Sequence, residues 1–205
     1  MTILSVNKTR DFDGRIAPLF CFMGADCVHF SVFWRSVMPT RIRRLVHAAI
    51  FAALYVVLTN WQNFILPGSA TWAIQLRLSE ALCIFSLFTP AAPPGLAVGC
   101  LIFNLSYSAA LPLDWILGTL ATWLACKGMW LTRKKLVFGL PLAGLLMPAL
   151  TNALLVGWEL TVYIGGGFCL NALYVAIGEA AVLLIFGSTL YLAIRKRGLD
   201  TRLFG

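Results

Sequence analysis

Apolar positions along this chain come in long blocks, without the alternation of a half-buried strand or the one-sided stripe of a surface helix. After Arg44 one block follows another with only short polar breaks. A helix needs about 20 apolar residues to cross a hydrocarbon core of roughly 30 Å, so each block reads as a membrane-spanning segment. Six helices are predicted, over about Ile42 to Asn60, Trp72 to Phe88, Leu96 to Tyr107, Pro112 to Leu131, Leu136 to Leu160 and Cys169 to Ile194. The breaks between them carry turn residues: Pro67-Gly68-Ser69, the run Thr89 to Gly95, and Gly165-Gly166-Gly167. Three prolines in the second of these are expected to stop a helix, because each removes a donor and clashes with the turn before it. The expected fold class is an all-α integral membrane protein, a six-transmembrane-helix bundle.

Residues 1–40 are of mixed character, and no stretch there is long and clean enough to span. They form an N-terminal arm that is either disordered or upstream of the native start, since Met38-Pro-Thr-Arg-Ile-Arg-Arg44 reads as a natural beginning. The membrane domain is expected over 41–197 and a cytoplasmic tail over 198–205.

Composition fits this reading. Of 205 residues 60% are hydrophobic and only 12% charged, where a soluble domain carries about 25% charged residues. The net charge of +8 does not point to nucleic acid. The basic residues sit in short clusters beside apolar blocks: Arg41, Arg43 and Arg44; Lys127, Arg133, Lys134 and Lys135; Arg195, Lys196 and Arg197. Cytoplasmic loops carry such an excess. With an even number of spans, all three clusters fall on one side, and both termini are expected in the cytoplasm of a multi-pass plasma-membrane protein. The three connections on the other side contain no Lys or Arg. None of the six cysteines stands in a C-x-x-C pair; those in apolar blocks read as small buried hydrophobes rather than a disulfide frame or a zinc site.

Charges within the spans carry the chemistry, because each costs roughly 2.5–3.5 kcal/mol to insert at the bilayer centre. Arg77 and Glu80, three residues apart, share a helix face and either pair with each other or line a polar cavity. Asn152 and Glu159 lie two turns apart on another face, although Glu159 is near a helix end and open to solvation. Asp114 follows Pro112 and reads equally well as a helix N-cap. Glu179 lies deep in the sixth span, where a carboxyl group needs a polar interior. Gln75, Asn104 and Asn171 add uncharged polar groups. Trp61, Trp72, Trp115, Trp158, Tyr163 and Phe168 border the non-basic side, as an interfacial belt or as stacking surfaces for a flat ligand. Ala48, Ala49, Ala52 and Ala53 give the first span a small-residue face, for packing within the bundle or against another membrane protein.

No G-x-x-x-x-G-K-[ST] phosphate loop, H-E-x-x-H or G-x-S-x-G is present. The only histidines, His29 and His47, are remote from the acids. An enzyme is therefore not expected. A self-sufficient secondary transporter would commonly show an internal repeat, and none is evident.

The segment Gln75-Leu-Arg-Leu-Ser-Glu-Ala-Leu82 resembles the Q-x-R-x-[SA]-E-A-L signature of the QueT family. Five further segments resemble that family in order: Ala53 to Thr59, Gly95 to Leu105, Asp114 to Thr122, Pro148 to Glu159, and Ile177-Gly-Glu179. The resemblance covers about Arg41 to Arg197. It implies the substrate-binding S component of an energy-coupling-factor importer, a six-helix protein that works with a transmembrane coupling (T) subunit and two ATP-binding subunits. No cofactor is implied in this chain, since ATP is used by the partners. The implied substrate is a queuosine precursor, a 7-deazaguanine base. The substrate-binding residues implied are Gln75, Arg77, Glu80, Asn104, Asp114, Asn152, Glu159 and Glu179, with Glu80 and Glu179 deep and Glu159 and Asp114 nearer the mouth. The face of Ala48, Ala49, Ala52 and Ala53 resembles the surface by which S components dock on the coupling subunit.

Overall fold

The computed structural model describes residues 39–67, 76–107, 112–137 and 139–204. The arm over 1–38, Trp72 and Gln75 lie outside them. Among the described residues six helical segments run in sequence: the first Thr40–Ile65, the second Leu78–Leu87, the third Ala92–Ser106, the fourth Asp114–Thr132, the fifth Leu142–Tyr163 and the sixth Phe168–Lys196. A short terminal helix, Leu199–Phe204, follows. The first, fifth and sixth are long and apolar enough to cross a membrane. Large apolar side chains point outward over much of the bundle, among them Leu45, Val57, Phe64, Ile116, Leu131 and Ile164. A surface of that kind suits lipid, not water.

Several boundaries differ from expectation for local reasons. Pro93 and Pro94, expected to lie in a helix-stopping turn, stand in the first turn of the third helix. First-turn amides have no intrahelical acceptor, so a missing N–H costs nothing there. Pro148 does the same for the fifth helix, where Leu146 separates an opening turn (Leu142–Leu145) from the main run Met147–Tyr163. Asp114 is not the N-cap of the fourth helix. Leu113 occupies that position, and Asp114 is the first helical residue, turned inward and buried.

The second helix is the most unusual element. It winds as a 3₁₀ helix over ten residues, far beyond the three or four at which such runs normally stop. At about 2 Å per residue it advances roughly 20 Å, whereas ten residues of α-helix cover about 15 Å. With three residues per turn, Arg77, Glu80, Cys83, Ser86 and Thr89 fall on one line, and all five are buried. Opposite in winding is the π-helical turn Leu183–Gly187 of the sixth helix.

Close packing elsewhere depends on missing side chains. A Cβ at Gly99 would stand 2.8 Å from the Ala52 carbonyl oxygen, and Gly95 is just as tight against Ala48. The first and third helices therefore cross backbone to backbone, the small-residue contact common between membrane helices. Gly157 meets Ala172 at 2.8 Å and does the same for the fifth and sixth.

The basic clusters gather at one end of the bundle. Arg133 and Lys134 share a cleft with Arg195, and His47 near the start of the first helix touches Phe204, ring centroids 5.8 Å apart. The core adjoining that end is apolar: Phe51, Ile84, Leu87, Leu96, Met129, Leu145, Tyr191 and Ile194 form one continuous cluster. Polar residues concentrate toward the other end.

Candidate functional site

Toward the non-basic end, the bundle encloses Arg77, Glu80, Asn104, Asp114, Asn152, Glu159 and Glu179, none of them more than 5% exposed. Five spans contribute. The 3₁₀ winding brings Arg77 and Glu80 into line at the start of the second helix. Asn104 comes from the third helix, Asp114 from the fourth, Asn152 and Glu159 from the fifth, and Glu179 from the middle of the sixth. Glu159 is not solvated as its place near a helix end suggested, because it is only 1% exposed.

Glu80 is the best supported of the acids. Its Oε1 accepts hydrogen bonds from the Tyr55 hydroxyl (2.8 Å) and the Thr122 hydroxyl (3.1 Å), and its Oε2 accepts one from the Cys83 thiol (3.2 Å). Its backbone N–H donates to the Arg77 carbonyl at 3.0 Å. Three donors fill most of a carboxylate's acceptor capacity, so Glu80 ties the first, second and fourth helices together. Asn104 bonds the Asp114 carbonyl oxygen at 2.8 Å and fixes the third helix to the start of the fourth. Gln62 of the first helix caps the start of the second: its amide donates to the Leu76 carbonyl, and its oxygen accepts the Leu78 N–H at 2.7 Å.

Arg77 stands at the centre of these charges. It feels Asp114 and Glu80, and in turn acts on Glu159 and Glu179. Space for it comes from Gly118, where a Cβ would lie 3.8 Å from a guanidinium nitrogen and 3.0 Å from the Asn104 amide nitrogen. Four carboxyl groups thus lie within electrostatic reach of one guanidinium, with Glu159 near Asp114 and Glu179 near Asn152.

Two kinds of polar group are therefore present. Glu80 and Asn104 are bonded to protein. Both side-chain oxygens of Glu159, both of Glu179, and the amide oxygen and nitrogen of Asn152 make no hydrogen bond among the described residues. An unmet buried polar group costs about 1–3 kcal/mol, more when charged, and native structures hold few of them. Chemically, this set presents acceptors in excess for a ligand rich in N–H groups or positive charge, with Arg77 and Asn152 as donors for a carbonyl.

Tyr55, Thr122, Gln62 and Gly118 were not singled out from sequence. A hydroxyl or an amide inside an apolar block is a weak signal, because such groups commonly bond their own helix, as Thr59 does to the Tyr55 carbonyl at 2.7 Å. Trp61, Trp115, Trp158, Tyr163 and Phe168 are each 39–56% exposed and face outward as an interfacial belt. The small-residue face divides: Ala52 is buried and Ala48 half-buried against the third helix, and only Ala49 and Ala53 remain exposed. Of the cysteines in the spans, Cys83, Cys100 and Cys126 are buried, but Cys169 is exposed.

The model of the QueT transporter family matches residues 45–196. No curated protein and no solved structure matches the chain.

Proposed function

The chain belongs to the QueT transporter family, and on that premise we propose that it is the substrate-binding component of an ATP-driven energy-coupling-factor importer for a 7-deazaguanine queuosine precursor. The chain carries no phosphate loop, so ATP-driven transport by it draws on an ATPase elsewhere. In this reading a transmembrane coupling subunit and two ATP-binding subunits supply it, and this chain holds no cofactor of its own. The basic end faces the cytoplasm with both termini, in keeping with the distribution of Lys and Arg.

One observation carries the ligand assignment: Asn152, Glu159 and Glu179 are buried together without hydrogen bonds, in a cluster of four carboxyls and one arginine. A deazaguanine edge offers a ring N–H and an exocyclic amine side by side, which one carboxylate accepts as a pair. An aminomethyl arm adds a cation that a second carboxylate holds. Arg77, Asn152 or Gln75 donates to the ring carbonyl. Glu159 and Glu179 are the free acceptors in this scheme. Glu80, already bonded to three helices, positions the second helix and its Arg77. Asp114 and Asn104 shape the mouth. The coupling subunit docks against the exposed Ala49 and Ala53.

Isothermal titration of the purified protein with a deazaguanine base tests this. Glu179→Gln is expected to weaken binding by about tenfold or more, equal to at least about 1.4 kcal/mol. Unchanged affinity in both Glu179→Gln and Glu159→Gln would overturn the site. ATP-independent uptake by protein that carries no ATPase subunits would overturn the importer reading and leave a self-sufficient transporter.

A further inference from the structure

The bundle holds a second polar feature at its basic end, remote from the acids. There the chain turns at Gly198, whose φ of +60° is the left-handed conformation that glycine adopts without strain. The turn folds the terminal helix Leu199–Phe204 back beneath the spans. Phe204 reaches the core, with ring centroids 6.3 Å from Phe51 and 6.2 Å from Phe85. Between this helix and the ends of the fourth and sixth lies a cleft of about 350 Å³. Its walls are of two kinds. Phe88, Tyr191 and Phe204 give it an apolar floor, with Phe88 stacked on Tyr191 at 5.7 Å. Arg133, Lys134 and Arg195 give it a cationic rim, opposed by one acid, Asp200.

The rim is organised. Arg133 is held by one donated bond to the Trp130 carbonyl at 2.8 Å, and its guanidinium lies 3.6 Å over the Trp130 ring. Arg195 is fixed by Asp200 at 3.1 Å and leans on the Tyr191 hydroxyl. Each guanidinium keeps further N–H donors. The Lys134 ammonium is exposed and makes no hydrogen bond or ion pair among the described residues. Three cations from two helix ends, two of them braced, surround a cleft with an apolar floor.

We propose that this cleft binds the phosphate headgroup of an anionic membrane lipid, with Arg133, Lys134 and Arg195 on the phosphate and the acyl chains leaving along the apolar floor toward the exposed Leu131 and Leu192. A basic pocket between spans at headgroup level has the chemistry for this ligand. Arginine suits it further, because its planar fork matches phosphate oxygens. The inference rests on the membrane setting and not on the identity of the transported base.

Full-length protein in phosphatidylcholine nanodiscs, with and without phosphatidylglycerol, gives the test by native mass spectrometry and thermal unfolding. Phosphatidylglycerol is expected to remain bound as a single lipid and to raise the unfolding temperature in a saturable way. Lys134→Glu should weaken that binding about tenfold, while Arg41→Glu, a charge reversal on the same end outside the cleft, should change it by less than about twofold. Equal losses in the two variants would show only diffuse attraction to the surface and overturn the proposal. Equal stabilisation by phosphatidylcholine would overturn it too. Saturation by inorganic phosphate, with no added effect of phosphatidylglycerol, would replace the lipid by a free anion. Loss of coupling-subunit binding in Lys134→Glu with lipid retention intact would assign the cleft to a protein partner instead.

Discussion

The side chains of Asn152 and Glu179 are buried and their polar atoms meet no hydrogen-bond partner among the described residues, while three helices donate to Glu80. The two situations respond oppositely to substitution. Removing a satisfied acceptor strands its donors, but removing an unsatisfied polar group relieves a cost. Asn152→Leu is therefore expected to stabilise the ligand-free protein by about 1 kcal/mol while weakening base binding at least about tenfold. Thermal unfolding in detergent, set beside titration of the ligand, checks this. A variant that lost stability and binding together would mark Asn152 as a structural residue. The acids themselves were legible in the sequence, because a charge inside an apolar block is costly wherever it sits. Their division into bonded and unbonded was not legible, since it depends on Tyr55 and Thr122 arriving from other helices.

At the scale of elements, the second helix shows how a local pattern is read through its period. Arg77, Glu80, Cys83, Ser86 and Thr89 recur every third residue. On an α-helix, at about 100° per residue, such a row drifts around the axis, and the last lies far from the first. On a 3₁₀ helix it is a straight stripe. The spacing is visible in the chain, but the winding that makes it one face is seen only in the fold. The crossing of the first and third helices is a second such case. Gly99→Leu would drive a side chain into the Ala52 backbone, 2.8 Å away at the first carbon. Backbone cannot yield as a side chain can, so a loss of about 3 kcal/mol or more is expected, seen as a lower unfolding temperature and poor recovery from detergent. Gly167→Leu meets nothing within 4 Å, stands at an ordinary φ of −84°, and should pack without a clash. Equal recovery of the two variants would refute the close crossing.

Over the whole molecule, polarity is inverted from that of a soluble protein: lipid-facing apolar residues enclose a polar cluster, and an apolar plug closes the basic end. Two outcomes follow. Ala53→Trp, on the exposed half of the small-residue face, should abolish recovery of the coupling and ATPase subunits and leave base binding unchanged; retained subunits on pull-down would remove this face from the interface. With Cys21 and Cys27 replaced by Ser, Cys169 should be the position labelled by an impermeant maleimide added outside intact cells, because it is exposed at the non-basic end while the other three described cysteines are buried. Labelling from the cytoplasmic side alone would reverse the proposed orientation.

The chain by itself determined that the protein lives in a membrane, where its apolar helices fall, and which residues are too polar for their surroundings. Those properties follow from apolar length and transfer energy, which are sums over local composition. Tertiary structure decided the rest. It packed Ala52 against the third helix and left Ala49 and Ala53 exposed, buried Glu159 near a helix end, wound the second helix to bring Glu80 among three donors, and folded the last six helical residues under the bundle to make the basic cleft. Each of those outcomes depends on contacts between residues far apart in the chain, and only packing creates such contacts.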